Sequence, residues 1–184
     1  MPRRRKETAS PFQLHLGLEF ARRHTHADSR AAALDLAAQA VDTGRFVRAT
    51  EENLSVRAPA DAAHYLMSRI YTPFDKFEQE EFWVLLLNTK NRVTHEVMVY
   101  RGTVNTIYVR VAEVFREAIR HNSTYILLSH CHPSGDPTPS PEDVRVTEMV
   151  NEAGGLLDIH LLDHMVVGNG RWVSMKERGL GFKA

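Results

Sequence analysis

The chain has a single cysteine among its 184 residues. One thiol excludes an internal disulfide and fits a reducing, cytoplasmic setting. There is no apolar run near the ~20 residues of a membrane span. The basic start Met1-Pro2-Arg3-Arg4-Arg5-Lys6 lacks the apolar stretch that a secretory signal needs. Net charge is also missing: 23 Lys and Arg balance 23 Asp and Glu, so the whole chain is no obvious polyanion binder. Several catalytic signatures are absent too. Without His-Glu-x-x-His there is no helical metalloprotease arrangement, and one cysteine cannot supply the Pro-Cys-x-x-Cys of the zinc deaminases. No glycine-rich phosphate loop of either common type is present.

What remains is a chain with 43% hydrophobic and 25% charged residues, enough to bury the core of one ordinary domain plus an appendage. Its centre of interest is Ser129 to Asp143. The apolar run Tyr125-Ile126-Leu127-Leu128 reads as a buried strand. Side chains alternate along a strand, so His130 and His132 share one face and Cys131 takes the other. Pro133, Gly135, Pro137 and Pro139 then dictate a stiff loop. Ser140-Pro141-Glu142-Asp143 is a helix start: hydroxyl cap, proline at the first position, acids in the first turn. Helical side chains lean toward the N-terminus, which aims Asp143 back at the histidines. Two histidines and a carboxylate form a common ligand set for catalytic zinc. Either half alone is bland, since Ser-x-x-Asp is usually just a cap; their succession is not.

The N-terminal part is basic. Residues 1–48 carry 9 Lys and Arg against 5 Asp and Glu (+4), and the remainder 14 against 18 (−4). Residues 1–10 read as a disordered arm, residues ~11–24 as a short amphipathic helix, and Asp28-Ser29 as the cap of an alanine-rich helix ending near Gly44. His24-Thr25-His26 with Asp28 is a rival ligand cluster, read as surface because no strand aligns it. Residues ~45–58 read as a linker. Residues 1–58 are thus expected as a helical N-terminal region and 59–184 as the main domain.

In that domain Pro59 opens a helix ending near Thr72-Pro73. Phe82–Leu87 reads as a strand covered on both faces, followed by a turn at Asn88–Asn91 and a second strand, Arg92–Tyr100. Val111–His121 is a helix. The helix starting near Pro141 is expected to stop at Gly154-Gly155, with a strand over Leu156–Leu162. A hairpin follows from Met165 to Val173 about Asn169-Gly170. The order implies an α/β sandwich with a mixed sheet, the histidines lying at the C-terminal end of a central strand.

Hydrolysis by such a site needs a base near the metal that is not itself a ligand, and Glu80 and Glu81 both precede the first buried strand. Ser140 can donate to an oxyanion or simply cap its helix. Cys131, directed away from the histidines, reads as core rather than nucleophile.

His130-Cys131-His132-Pro133, six residues, then Ser140-Pro141-Glu142-Asp143 resembles the His-x-His-Pro-x₆-Ser-x-x-Asp motif of the JAB/MPN (JAMM) zinc hydrolases. The string His-Pro-Ser-Gly-Asp-Pro-Thr-Pro-Ser resembles the RadC branch in particular. So do Gln79-Glu80, Arg101-Gly102-Thr103-Val104-Asn105 and Leu162-Asp163-His164 with Val166-Val167-Gly168. The resemblance spans residues ~60–180. It implies a three-layer, cytidine-deaminase-like α/β/α sandwich, with zinc on His130, His132 and Asp143. It further implies Glu80 as general base, Ser140 as oxyanion donor, and a peptide or isopeptide amide as substrate. The chain departs from the branch at Cys131, where asparagine is usual, and at Val111-Ala112, where Pro-Arg is usual. Residues 1–58 also lack the Gly-x-Gly hairpin of a DNA-binding helix-hairpin-helix.

A different reading makes the chain an accessory DNA-repair or mobile-element protein whose metal site is structural or vestigial. It rests on the +4 arm and the branch's historical name. Self-association stays open. Asp163-His164, expected to close the strand Leu156–Leu162, has two readings as well. Asp163 is either the partner that orients His130 or His132, with His164 packed beside it, or a turn residue next to a satisfied buried histidine.

Overall fold

A computed structural model of the chain describes residues 46–50, 55–102 and 109–182. The expected arm, both N-terminal helices and the His24-Thr25-His26 cluster lie outside these residues. Along the described chain come β1 (Phe46–Ala49), α1 (Pro59–Tyr65), β2 (Glu80–Leu87), β3 (Val93–Gly102) and α2 (Val111–Arg120). They are followed by β4 (Tyr125–Cys131), α3 (Pro141–Leu157), β5 (His160–Val167) and β6 (Trp172–Ser174). A π-helical turn, Leu66–Ile70, extends α1.

The six strands form one sheet in the order β1-β3-β2-β4-β5-β6. All pairings are antiparallel except β4 with β5, which is parallel, so the sheet is mixed as expected. Alternation divides the core between its two faces. Phe82, Val84 and Leu86 of β2 and Ile126 and Leu128 of β4 pack with Val114, Phe115 and Ala118 of α2 and Val150 of α3. On the opposite face, the buried Glu96 of β3 accepts from Tyr65 Oη (2.5 Å) and Arg69 Nε (2.9 Å) of the α1 segment. The result is the α/β/α layering that the element order implies. All eight residues of β2 are buried. Each large apolar one contributes about 1.5–3 kcal/mol of burial, so β2 is a firm support for whatever its first residue presents.

Three expectations fail locally. The stretch 45–58 carries β1, paired antiparallel to β3, and Ser55 bridges to Arg92. Four residues are too few to show a period, and Arg48 of β1 ion-pairs with Glu96 instead of facing solvent. Gly154-Gly155 does not stop α3, which runs on to Leu157; the left-handed terminal residue is Asp158, at φ 54°. Gly154 serves packing instead: a Cβ there would lie 2.5 Å from the Ile159 carbonyl oxygen, where the chain doubles back. Consequently Leu156 and Leu157 belong to the helix, and the strand expected at Leu156–Leu162 is β5, His160–Val167. The final hairpin, β5 to β6, forms where expected. Among the described residues no helix is long and apolar enough to cross a membrane.

Candidate metal centre

β4 ends at Cys131, and its alternation works as the sequence implies: His130 lies on the α3 side, Cys131 on the other. Cys131 is fully buried, with Sγ 3.9 Å from the Gln79 carbonyl oxygen, and burial pushes its thiol up to about 12. The loop after His132 is fastened to the β5–β6 turn. The Gly135 carbonyl accepts from Asn169 N (3.2 Å) and Arg171 Nη2 (3.1 Å). Any side chain at Gly168 would meet that carbonyl oxygen at 2.3 Å, so only glycine permits this approach. His132 Nδ1 donates to the Asp136 carbonyl at 2.8 Å, which leaves Nε2 as its free lone pair.

Ser140 caps α3 in a reciprocal box. Its Oγ accepts from Asp143 N (3.2 Å) and donates to Asp143 Oδ2 (2.7 Å), and Ser140 N donates to Oδ2 (2.7 Å). The cap thereby fixes the carboxylate, whose Oδ1 lies 3.1 Å from His130 Nε2. His130 Nε2 and His132 Nε2 are 3.1 Å apart. His130, His132 and Asp143 each bring one donor atom to a point, all within 4.8 Å of one another, and the cluster could hold a metal ion. The side chains of His132 and Asp143 keep 16% and 17% exposure, while His130 keeps 2%, so the centre opens to solvent on one side. Burial alone would raise the Asp143 carboxyl. Its hydrogen bond and attraction to His130, with the Ser140 donors, override this and hold it well below the usual carboxylate range.

Glu80, the first residue of β2, feels all three of these groups. Burial raises its carboxyl, the attraction of His130 and His132 offsets part of the rise, and Asp143 adds to it. Glu81 points through the sheet. It accepts from Trp83 Nε1 (2.8 Å) and pairs with Arg101 (3.4 Å). The two acids that sequence chemistry alone left open are separated by strand alternation.

The architecture and the donor set meet in one family. A family model described as "RadC-like JAB domain" matches residues 56–180. The chain belongs to that family. Relatives of this RadC-like chain include a "UPF0758 protein" of Chloroflexus aurantiacus strain J-10-fl, 45% identical over 167 residues, which are 90% of this chain and 70% of that one. Another, from Roseiflexus castenholzii, is 46% identical over 166 residues (89% and 68%), and one from Clostridium beijerinckii 42% over 136 (74% and 58%).

Asp163 is not the partner of a ligand histidine. Its carboxylate accepts from Ser174 Oγ (2.5 Å), His164 N (2.7 Å) and Lys176 N (3.1 Å), on the face of the sheet away from the centre. His164 stands where the partner reading puts Asp163: its Nε2 lies 2.8 Å from His130 Nδ1. The cause is an irregularity in the β4–β5 register, where Ile126 pairs with Leu161 but Leu128 with His164. One extra residue on β5 reverses the alternation, turning Asp163 outward and His164 inward. His164 is fully buried, which with the nearby His130 charge keeps it well below its usual range. A residue not singled out from the sequence completes the contact: Thr147 Oγ1, 2.7 Å from His164 Nδ1. It lies four residues after Asp143, on the same helical face, and that spacing was available to be read.

Proposed function

We propose that this RadC-like chain is a zinc-dependent hydrolase acting on a peptide or isopeptide amide. The observation that carries the reading is the convergence of two imidazole Nε2 atoms and a carboxylate oxygen at a solvent-open point, beside a buried acid that is not among them. Nitrogen ligands ~2.0–2.1 Å from a tetrahedral ion lie roughly 3.3 Å from each other, near the 3.1 Å between the two Nε2 atoms, and N,N,O sets with one open position suit catalytic zinc. Bound there, zinc supplies a Lewis acid and makes water nucleophilic near neutral pH.

The chain's own residues divide the remaining work. Glu80, its carboxyl raised by burial, takes the proton of the attacking water and returns it to the departing amine. Ser140 holds Asp143 through both N–H and O–H. Turning its hydroxyl toward the scissile carbonyl supplies an oxyanion donor, while the backbone N–H keeps the carboxylate in place. Cys131, protonated at neutral pH and facing away, takes no part.

The test is hydrolysis of short peptide amides and ubiquitin-like conjugates by the zinc-loaded protein. The reading expects cleavage that a chelator abolishes and zinc restores. Cleavage unaffected by complete zinc removal would overturn it.

A further inference from the structure

Thr147, His164 and His130 form a hydrogen-bond chain whose direction is fixed at its far end. Thr147 Oγ1 lies 2.6 Å from the backbone oxygen of Asp143, which can only accept, so the single hydroxyl proton goes there. The Met175 sulfur, 3.5 Å from Oγ1, is a weak alternative acceptor and leaves the logic unchanged. With its proton committed, Oγ1 can only accept from His164 Nδ1, 2.7 Å away. His164 has no carboxylate among its side-chain partners and no exposed surface, so it is a neutral ring with one N–H. That proton sits on Nδ1; Nε2 is bare and must accept from His130 Nδ1, 2.8 Å away. His130 Nδ1 is thereby the donor of this contact, and Nε2 is the nitrogen left facing Asp143 and His132, where its lone pair serves a metal once Nε2 carries no proton. Phe82 packs against both rings, with centroids 6.1 Å from His130 and 5.6 Å from His164, and restrains their tilt.

We infer that Thr147 and His164 are positioning residues that lock His130 in the tautomer able to ligate metal. The inference deepens the proposed zinc site and rests on that reading for its effect on affinity. The opposite tautomer is well served in the metal-free protein, since a proton on His130 Nε2 would meet Asp143 Oδ1 at 3.1 Å. The relay is what opposes it. The register irregularity in β5 acquires a purpose here, because strict alternation would face Asp163 toward His130 instead.

The test uses the full chain. In metal-free protein, two-bond ¹H–¹⁵N spectra of the imidazole rings should show His164 protonated on Nδ1 and bare on Nε2, and His130 protonated on Nδ1. Thr147→Val keeps the shape but removes the acceptor. It should move the His164 proton to Nε2 and weaken zinc binding ~10–100-fold without changing stoichiometry. Thr147→Ser restores the hydroxyl and should restore both readouts, which a purely packing role would not do. A wild-type His164 protonated on Nε2 would overturn the inference. So would Thr147→Val with unchanged zinc affinity and an unchanged His164 tautomer. Should wild type take up no zinc at all, the proposed function fails, and the tautomers of the metal-free protein still decide this point.

Discussion

Glu80 and Glu81 are consecutive, both buried, and on opposite faces of β2: one faces two histidines and an aspartate, the other Trp83 and Arg101. A strand offers this separation at no cost, because its side-chain period is two. The proposal of Glu80 as the base rests on it.

Glu80→Gln keeps shape and removes the basic carboxylate. It should leave zinc stoichiometry unchanged and reduce turnover by roughly 10²–10⁴-fold. Glu81→Gln should instead cost stability, about 1–3 kcal/mol for disturbing a buried charged hydrogen bond, with turnover of the folded fraction retained. Steady-state rates together with denaturant midpoints distinguish the two. An active Glu80→Gln with a dead Glu81→Gln would move the base by one residue.

Asp163 ties β5 to β6 and to the turn after it. Asp163→Asn should lower the stability of the metal-free protein by about 1–3 kcal/mol and leave zinc affinity alone. The pH dependence has a definite sign. Burial, only partly offset by Ser174, Lys176 and His164, raises this carboxyl, so the folded state holds the proton more tightly than the unfolded chain. This contribution is fully present below the ordinary carboxylate value and is lost as pH rises through the raised one. Urea titrations across that window should show wild type losing stability relative to Asp163→Asn as pH increases. A flat difference would contradict the assignment.

Cys131 should be inert while the protein is folded. With its thiol at about 12, the thiolate fraction near pH 8 is on the order of 10⁻⁴, and the side chain is buried. Iodoacetamide should label it only after denaturation, as read by intact mass. Labelling of native protein within minutes would reopen the thiol as a functional group.

Much of this centre could be read from the chain. Alternation along β4 placed His130 and His132 together, and the cap signal at Ser140 placed Asp143 over them. These are local rules acting within a few residues. Three features escaped because each depends on a part of the chain outside its own local pattern. Nothing local in Leu161–His164 announces an extra residue, since it exists only as a change of register against β4. Of the two readings of Asp163, the one that makes it the partner of a ligand histidine fails for that reason. Gly154 failed in a similar way. Its signal is that of a helix stop, but its cause is the close return of Ile159. β1 likewise becomes legible through its pairing with β3 and the buried Glu96 there.

The central claim is that His130, His132 and Asp143 hold one zinc ion, and direct metal analysis of purified, dialysed protein tests it. Wild type should carry about one zinc per chain, the content of a three-ligand site. His130→Ala and His132→Ala should each carry almost none while keeping the wild-type far-ultraviolet circular dichroism. Full zinc content in both variants would contradict the account.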